Sequence, residues 1–219
     1  MVDHASLPEL EPAELADLLP GAMFDGVEFA GLDLSGVRAE RVRLLETSVT
    51  DCSADELDTT KLDCVDTYMG SLHVQTWRCA NSSWRDANFE RLRVGAWLAD
   101  GTDLLDVTIN DCKLDLLSLR GANLRRVTLR DCRIESLDLT SAKVAEVVIE
   151  GGVIGELLTA DATVTGLDVS RTELRMVGHA GSLKGLVMSE AQVKDLAFAF
   201  AEYLGIRLAS EDPAEHSAV

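Results

Sequence analysis

The sequence predicts an all-β solenoid, a chain wound in short sides around a filled apolar axis. Three observations carry the prediction. Apolar residues recur at every fifth position without an insertion from Phe24 to Leu174. Two residues before each of these stands a second, mostly apolar position, and the residue between the two is mostly polar. No proline occurs between positions 21 and 212, so the body carries no visible linker.

Stepping through Phe24, Phe29, Leu34, Ala39, Leu44 and Val49 to Leu174 gives 29 apolar residues in 31 positions, where a 47% apolar composition would fill about half. The exceptions are Thr59 and Thr159. The second inward position holds Ala22, Val27, Leu32, Val37, Val42, Cys52 and Leu57, and the residue between is Asp33, Arg43, Asp58, Asn88, Asn123 or Asp138 at representative units. A helix needs apolar spacings that drift between three and four, and a strand needs strict alternation. A locked period of five therefore describes an in-out-in segment followed by a corner. Hexapeptide β-helices would step by six, and leucine-rich repeats would alternate strand with helix.

The units Ala87-Asn88-Phe89-Glu90-Arg91 and Ala122-Asn123-Leu124-Arg125-Arg126 match the A(D/N)LXX consensus of the pentapeptide-repeat proteins, and the chain resembles that family over most of its length. The resemblance implies a right-handed quadrilateral β-helix of about eight coils, four sides and 20 residues to a coil, on the order of 40 Å long. Folded at that period, one side pairs small Ala39, Thr59, Cys79 and Ala99 with large Val37, Leu57, Trp77 and Trp97. Close packing demands such compensation, which makes Trp77, Trp84 and Trp97 core residues.

Stacked coils leave unpaired backbone at both ends, so each terminus is expected to cover one. Residues 1–20 form an N-terminal segment with a short helical cap, in which Pro12 begins a turn and Leu15, Leu18 and Leu19 face the first coil. Residues 21–188 form the solenoid. The register slips by one near His179 and resumes at Met188, Val193, Phe198, Tyr203 and Leu208. Residues 189–209 are expected to form a helix and a short strand. Ser189 and Gln192 make a capping box, Val193, Leu196, Ala197, Phe200 and Leu204 face inward, and Gly205 supplies the stop. Residues 210–219 are read as a flexible tail. The run AFAFAEYLGIRLA resembles the C-terminal helix and strand through which mycobacterial fluoroquinolone-resistance pentapeptide proteins dimerise. That resemblance implies a homodimer with Phe198, Tyr203 and Leu204 at its interface.

No catalytic constellation stands out. His4 and His216 lie near the termini, His73 at an outward position and His179 at the register break. Phosphate-loop, dinucleotide, nucleophile-elbow and zinc-protease signatures are missing from the sequence. The five cysteines form no CxxC pair, and Cys112 and Cys132, one coil apart, read as packed thiols. Neither a metal nor a cofactor is expected, and the chain is not expected to be an enzyme. The 38 acids against 20 Lys and Arg, a net charge of −18, argue against direct nucleic-acid or anionic-membrane binding and favour a basic partner. No run is long enough to span a bilayer, and the opening MVDHASLPEL lacks a basic, then apolar, leader, so a soluble cytoplasmic protein is expected.

The outer surface is what remains. Glu46, Asp66, Asp86 and Asp106 occupy one corner of successive coils, and Asp51 and Asp111 lie one corner further round. The line continues with Arg126 and Glu146, so the acidic row belongs to the N-terminal half. Like charges stacked at about 5 Å repel, a cost that calls for a use. The family resemblance supplies one: acidic rods of this kind mimic duplex DNA and occupy the DNA-binding saddle of DNA gyrase, a type II topoisomerase, protecting it from quinolones. A basic belt at Arg120, Arg125, Arg126, Arg130 and Arg133 departs from a uniform mimic. The alternative reading is an interaction scaffold whose partner is unrelated to topoisomerase.

Overall fold

The structure, a computed structural model, describes residues 4–178 and 183–207. His179, Leu208, the end of the expected C-terminal strand, and the tail with His216 lie outside the described residues. The chain is a parallel β-solenoid of pentapeptide repeats. Strands Asp63–Gly70, Ser83–Glu90, Asp103–Asn110 and Asn123–Arg130 stack in register 20 residues apart, so that Cys64, Trp84, Leu104 and Leu124 fall in one column. The short strands His73–Arg78, Arg93–Leu98, Lys113–Ser118 and Arg133–Asp138 stack beside them in the same way. A period of five thus buries two residues per side and turns a corner before the next.

The corners explain much of the outward sequence. Sixteen described residues other than glycine have positive φ, and seven of them are aspartates: Asp51, Asp66, Asp86, Asp106, Asp111, Asp131 and Asp161, with φ between +48° and +57°. Aspartate and asparagine tolerate this left-handed region far better than most side chains, so their place at corners has a backbone cause.

The axis is filled by side chains. Trp84, Trp97 and Phe89 are fully buried and Trp77 nearly so. The Trp77 and Trp97 rings stack at 4.8 Å and 10°, one coil apart, with Phe89 and Trp84 at 5.0 and 5.5 Å from Trp97. Each of the two stacked indoles donates to the small residue on the same side of the coil below: Trp77 Nε1 to Thr59 Oγ1 at 2.9 Å and Trp97 Nε1 to Cys79 Sγ at 3.2 Å. Thr59, an exception to the apolar period, is thereby a buried acceptor. All five cysteines are free and buried.

The ends differ from expectation. Residues 12–19 are not a helix. Glu11–Pro12 forms a strand paired with Val27 and Glu28, followed by a single 3-10 turn at Leu15–Asp17. Glu11 N–H and Ala13 N–H donate to Gly26 and Glu28, so Pro12, between them, sits where no donor is required. With Pro20 close behind, too few residues remain for a helix. The strand adds a layer to the stack, and Leu18 packs against the core beneath. At the other end Leu186–Val187 pairs with Leu167–Asp168, an offset of 19 that realises the one-residue slip, and Met188 packs inward. With both added strands the side through Glu28, Ser48 and Tyr68 is ten strands deep, nine coil steps in place of about eight.

The C-terminal helix is two short ones, α1 (Glu190–Asp195) and α2 (Ala197–Tyr203), joined at Leu196. The Ser189–Gln192 capping box is present. Gln192 is buried, and its Nε2 donates to the carbonyls of Val169 at 2.7 Å and Thr172 at 2.9 Å, satisfying backbone that the last coil leaves unpaired. The bend changes which face is buried. Leu196 is covered and Phe200 packs on the core, but Val193, Ala197 and Leu204 are exposed, contrary to the inward stripe expected of one continuous helix. Gly205, at φ +69°, closes α2 with bonds from Gly205 N–H to Glu202 and Ile206 N–H to Ala201.

Candidate partner-binding surface

The structure places Glu46, Asp66, Asp86 and Asp106 on one corner line, with flanking residues of successive coils in register. Asp51 and Asp111 stand on the next corner and are exposed. Adjacent members of a line are one coil apart, about 4.8 Å. Glu46, Asp51, Asp66, Asp86 and Asp111 have no ion-pair partner among the described residues.

Asp106 is different. Arg126, the next residue on the line, grips it with both arms of its guanidinium: Nε to Oδ1 at 2.6 Å and Nη2 to Oδ2 at 2.7 Å. That fork holds the Asp106 carboxyl below its ordinary range, first through the hydrogen bonds and then through charge. The acidic line therefore ends, as an unpaired row, at Asp86.

The basic belt is largely spent in the same way. Arg120 reaches Asp138 at 3.3 Å, Arg130 reaches Glu150 at 2.8 Å, and Arg133 reaches Glu135 at 3.1 Å. Arg171 joins Glu150 from the following coil at 2.7 Å, so Arg130 and Arg171 together keep the Glu150 carboxyl below its usual range. Arg125 alone in the belt has no ion pair among the described residues. The C-terminal half thus neutralises itself across coils. Residues 120–178 hold nine Asp and Glu against eight Lys and Arg, a net charge of −1. Residues 21–119 hold 18 against nine, a net charge of −9. Spread over five coils of about 4.8 Å, that is roughly one net charge per 2.7 Å, compared with about one per 1.7 Å of duplex DNA.

Beside the acidic line, Tyr68 is a buried ring whose hydroxyl donates to Glu90 Oε2 at 2.9 Å and accepts from Arg91 Nη2 at 3.3 Å; Arg91 also pairs with Glu90. Burial, then Glu90, pushes the Tyr68 phenol up. His4 stands against this cluster, its ring 5.4 Å from Tyr68 and Nε2 3.2 Å from Glu28. Sequence reasoning passed over this cluster because its members belong to coils and a terminus that only the fold brings together. Among the described residues no group of three or more His, Cys, Asp and Glu side chains could hold a metal ion. No helix is long and apolar enough to cross a membrane.

Of the residues expected at a dimer interface, Phe198 is 73% exposed, Tyr203 60% and Leu204 67%. Ile206 and Val193 are exposed beside them, so α1, α2 and the Gly205 turn carry an uncovered set of apolar side chains.

No family model matches the sequence, and no curated protein matches it either. Among solved structures, the chain is similar to two trypsin-treated variants of QnrB1, described as a plasmid-mediated fluoroquinolone resistance protein. One is 16% identical with a TM-score of 0.35, over 86% of this chain and 98% of that one. The other is 18% identical with a TM-score of 0.39, over 91% of this chain and 96% of that one.

Proposed function

We propose that the chain is a non-enzymatic acidic rod that occupies a basic protein groove, and that this groove is the DNA-binding saddle of DNA gyrase or another type II topoisomerase, where the rod stands in for duplex DNA and protects the enzyme from quinolone-type inhibitors. The single observation that supports this most is the charge segregation: −9 over residues 21–119 with Glu46, Asp66 and Asp86 unpaired, against −1 over residues 120–178. Carboxylates on β-stacked corners are preorganised, so little ordering cost is incurred when Lys and Arg that ordinarily meet phosphates meet them instead. The exposed apolar set at Phe198, Tyr203 and Leu204 supports a homodimer, which would join two rods at their C-terminal ends and leave an acidic half at each far end.

The corner geometry dictates the test. Asn81 holds a left-handed corner at φ +55° in this chain, so Asp→Asn at a corner removes charge and keeps the turn. Purified protein is expected to inhibit gyrase supercoiling and to relieve quinolone-stabilised cleavage, and Glu46→Gln/Asp66→Asn/Asp86→Asn is expected to abolish both while keeping the wild-type circular dichroism. Lack of effect on any type II topoisomerase would retire this reading. The scaffold reading draws on the backbone cause of corner aspartates, which accounts for their placement without a partner. Under it, affinity capture retrieves a different protein, and the neutral triple variant captures it as well as the wild type does.

A further inference from the structure

Alone among the five cysteines, Cys112 and Cys132 stand at the same inward position of adjacent coils; one coil on from Cys52, Cys64 and Cys79 stand Leu72, Trp84 and Ala99. Lys113 and Arg133, which follow the pair in the chain, are register partners, and Arg133 N–H donates to the Cys112 carbonyl at 2.8 Å. The Cys132 sulfur leans back toward the preceding coil: it stands 3.3 Å from the Ile109 carbonyl oxygen as well as 3.3 Å from that of Arg130. Cys112 sits in that same preceding coil, three residues after Ile109, and the two thiols hydrogen-bond to each other. On the other side of Cys132 the backbone of Gly152 closes in so tightly that a Cβ there would stand 2.0 Å from the Cys132 carbonyl oxygen, and the glycine brings no side chain to the column. Cys112 is therefore the side chain that the Cys132 sulfur meets along the column. The hydrogen bond between them draws the Cys132 thiol below its ordinary range and pushes the Cys112 thiol up, while burial pushes Cys52, Cys64 and Cys79 up. Of the five, Cys132 gives up its proton most readily.

We propose that Cys112 and Cys132 form a reversible disulfide clasp between two coils when the protein meets a peroxide. The Cys132 thiolate attacks the peroxide O–O bond, keeping one oxygen as a sulfenic acid and releasing the other as water or an alcohol. The Cys112 thiol then attacks the Cys132 sulfur, the S–S bond forms, and the sulfenic oxygen leaves as water, so that the two thiols are oxidised and one peroxide is reduced. Positions one coil apart, about 4.8 Å, fall within the Cα separation of roughly 4.4–6.8 Å that disulfides span. An unstrained disulfide wants its Cβ atoms about 3.5–4.5 Å apart, slightly closer than that spacing, so this bond carries strain and is readily reduced. Cys112 and Cys132 are 1% and 2% exposed, and each follows directly on an exposed corner aspartate, Asp111 or Asp131. A peroxide, little larger than water, reaches such a wall position when a coil edge briefly opens, whereas a bulky thiol reagent does not. The clasp ties the coil that carries Asp106 to the coil that carries Arg126, at the joint between the acidic half and the neutral one.

The test exposes the full-length, fully reduced protein to hydrogen peroxide at a dose that leaves its circular dichroism unchanged, removes the peroxide, denatures the chain in the presence of N-ethylmaleimide and counts adducts by intact mass. Three adducts are expected in place of the five of the free cysteines, with a non-reduced peptide map that joins Cys112 to Cys132. Dithiothreitol applied to the oxidised protein before alkylation is expected to restore all five. Cys112→Ala is expected to form no disulfide and to carry a dimedone adduct, the trap for a sulfenic acid, on Cys132. Five adducts in the peroxide-treated wild type, or a peptide map that joins a different pair, overturns the inference. So does a loss of thiols that dithiothreitol fails to return. If Cys112→Ala does not fold, the wild-type map and its reversal by dithiothreitol decide on their own.

Discussion

Trp97→Ala removes the centre of the aromatic stack. The indole is fully buried, lies 4.8 Å from Trp77, 5.0 Å from Phe89 and 5.5 Å from Trp84, and donates to Cys79. A buried aromatic side chain removes about 150–250 Å² from water, worth roughly 4–6 kcal/mol at about 25 cal/mol per Å². Alanine keeps a fraction of that, while the cavity left between rigid coils adds a cost, so the net loss should be about 3–5 kcal/mol. Coils on either side are tied by backbone ladders at 20-residue spacing and are poorly placed to collapse into the space. For a chain of this size the loss corresponds to a fall in Tm of roughly 6–20 °C. Urea unfolding followed by circular dichroism and by the fluorescence of Trp77 and Trp84 measures it. Because a solenoid couples only neighbouring coils, the two probes should separate in the variant if its halves unfold independently. A loss below about 1 kcal/mol would refute the packing argument, since it would mean the ring is not needed to fill the axis.

Thr59→Val should cost about 1–3 kcal/mol by leaving the Trp77 indole N–H buried without its acceptor, whereas Thr59→Ser should recover most of it; thermal unfolding distinguishes them. Burial pushes the Cys64 and Cys79 thiols up and no cysteine is exposed, so a thiol reagent should label none of the five in the native protein and all five in denaturant. Arg126 depresses the Asp106 carboxyl, so its contribution to stability is present above the unfolded carboxyl pKa of about 3.9 and is lost as pH falls through the lower folded value. The Tm gap between wild type and Arg126→Gln should therefore be open at pH 7 and should narrow as pH falls below the unfolded carboxyl pKa of about 3.9. Phe198→Glu should convert a dimer to a monomer in light scattering at micromolar concentration, and a wild type that is already monomeric would end the dimer proposal.

What the sequence discloses and what it conceals follow from the same geometry. A side chain that points inward is constrained by volume, so Trp77 opposite Cys79, and Trp97 opposite Ala99, were legible as core from spacing alone. Corners were legible as outward and acidic, but a string of letters does not carry φ, and the left-handed backbone that favours Asp66 and Asp86 emerges only in three dimensions. Alternation from Asp106 to Arg126 was visible, while the bidentate fork that removes Asp106 from the free row was not. At the termini the period stops, and with it the signal. Pro12 reads as a first helical residue unless its neighbours are known to pair with Gly26 and Glu28. Leu196 likewise conceals the bend that exposes Val193 and Leu204.

Competition between this chain and DNA for one groove is the claim on which the functional account rests. Anisotropy of a labelled duplex bound to gyrase, titrated with the full-length protein, measures it directly. The account predicts complete displacement with competitive dependence on duplex concentration, weakened at least tenfold by Glu46→Gln/Asp66→Asn/Asp86→Asn. A duplex that stays bound at saturating protein, or a triple variant that displaces it as well as the wild type, would contradict the account.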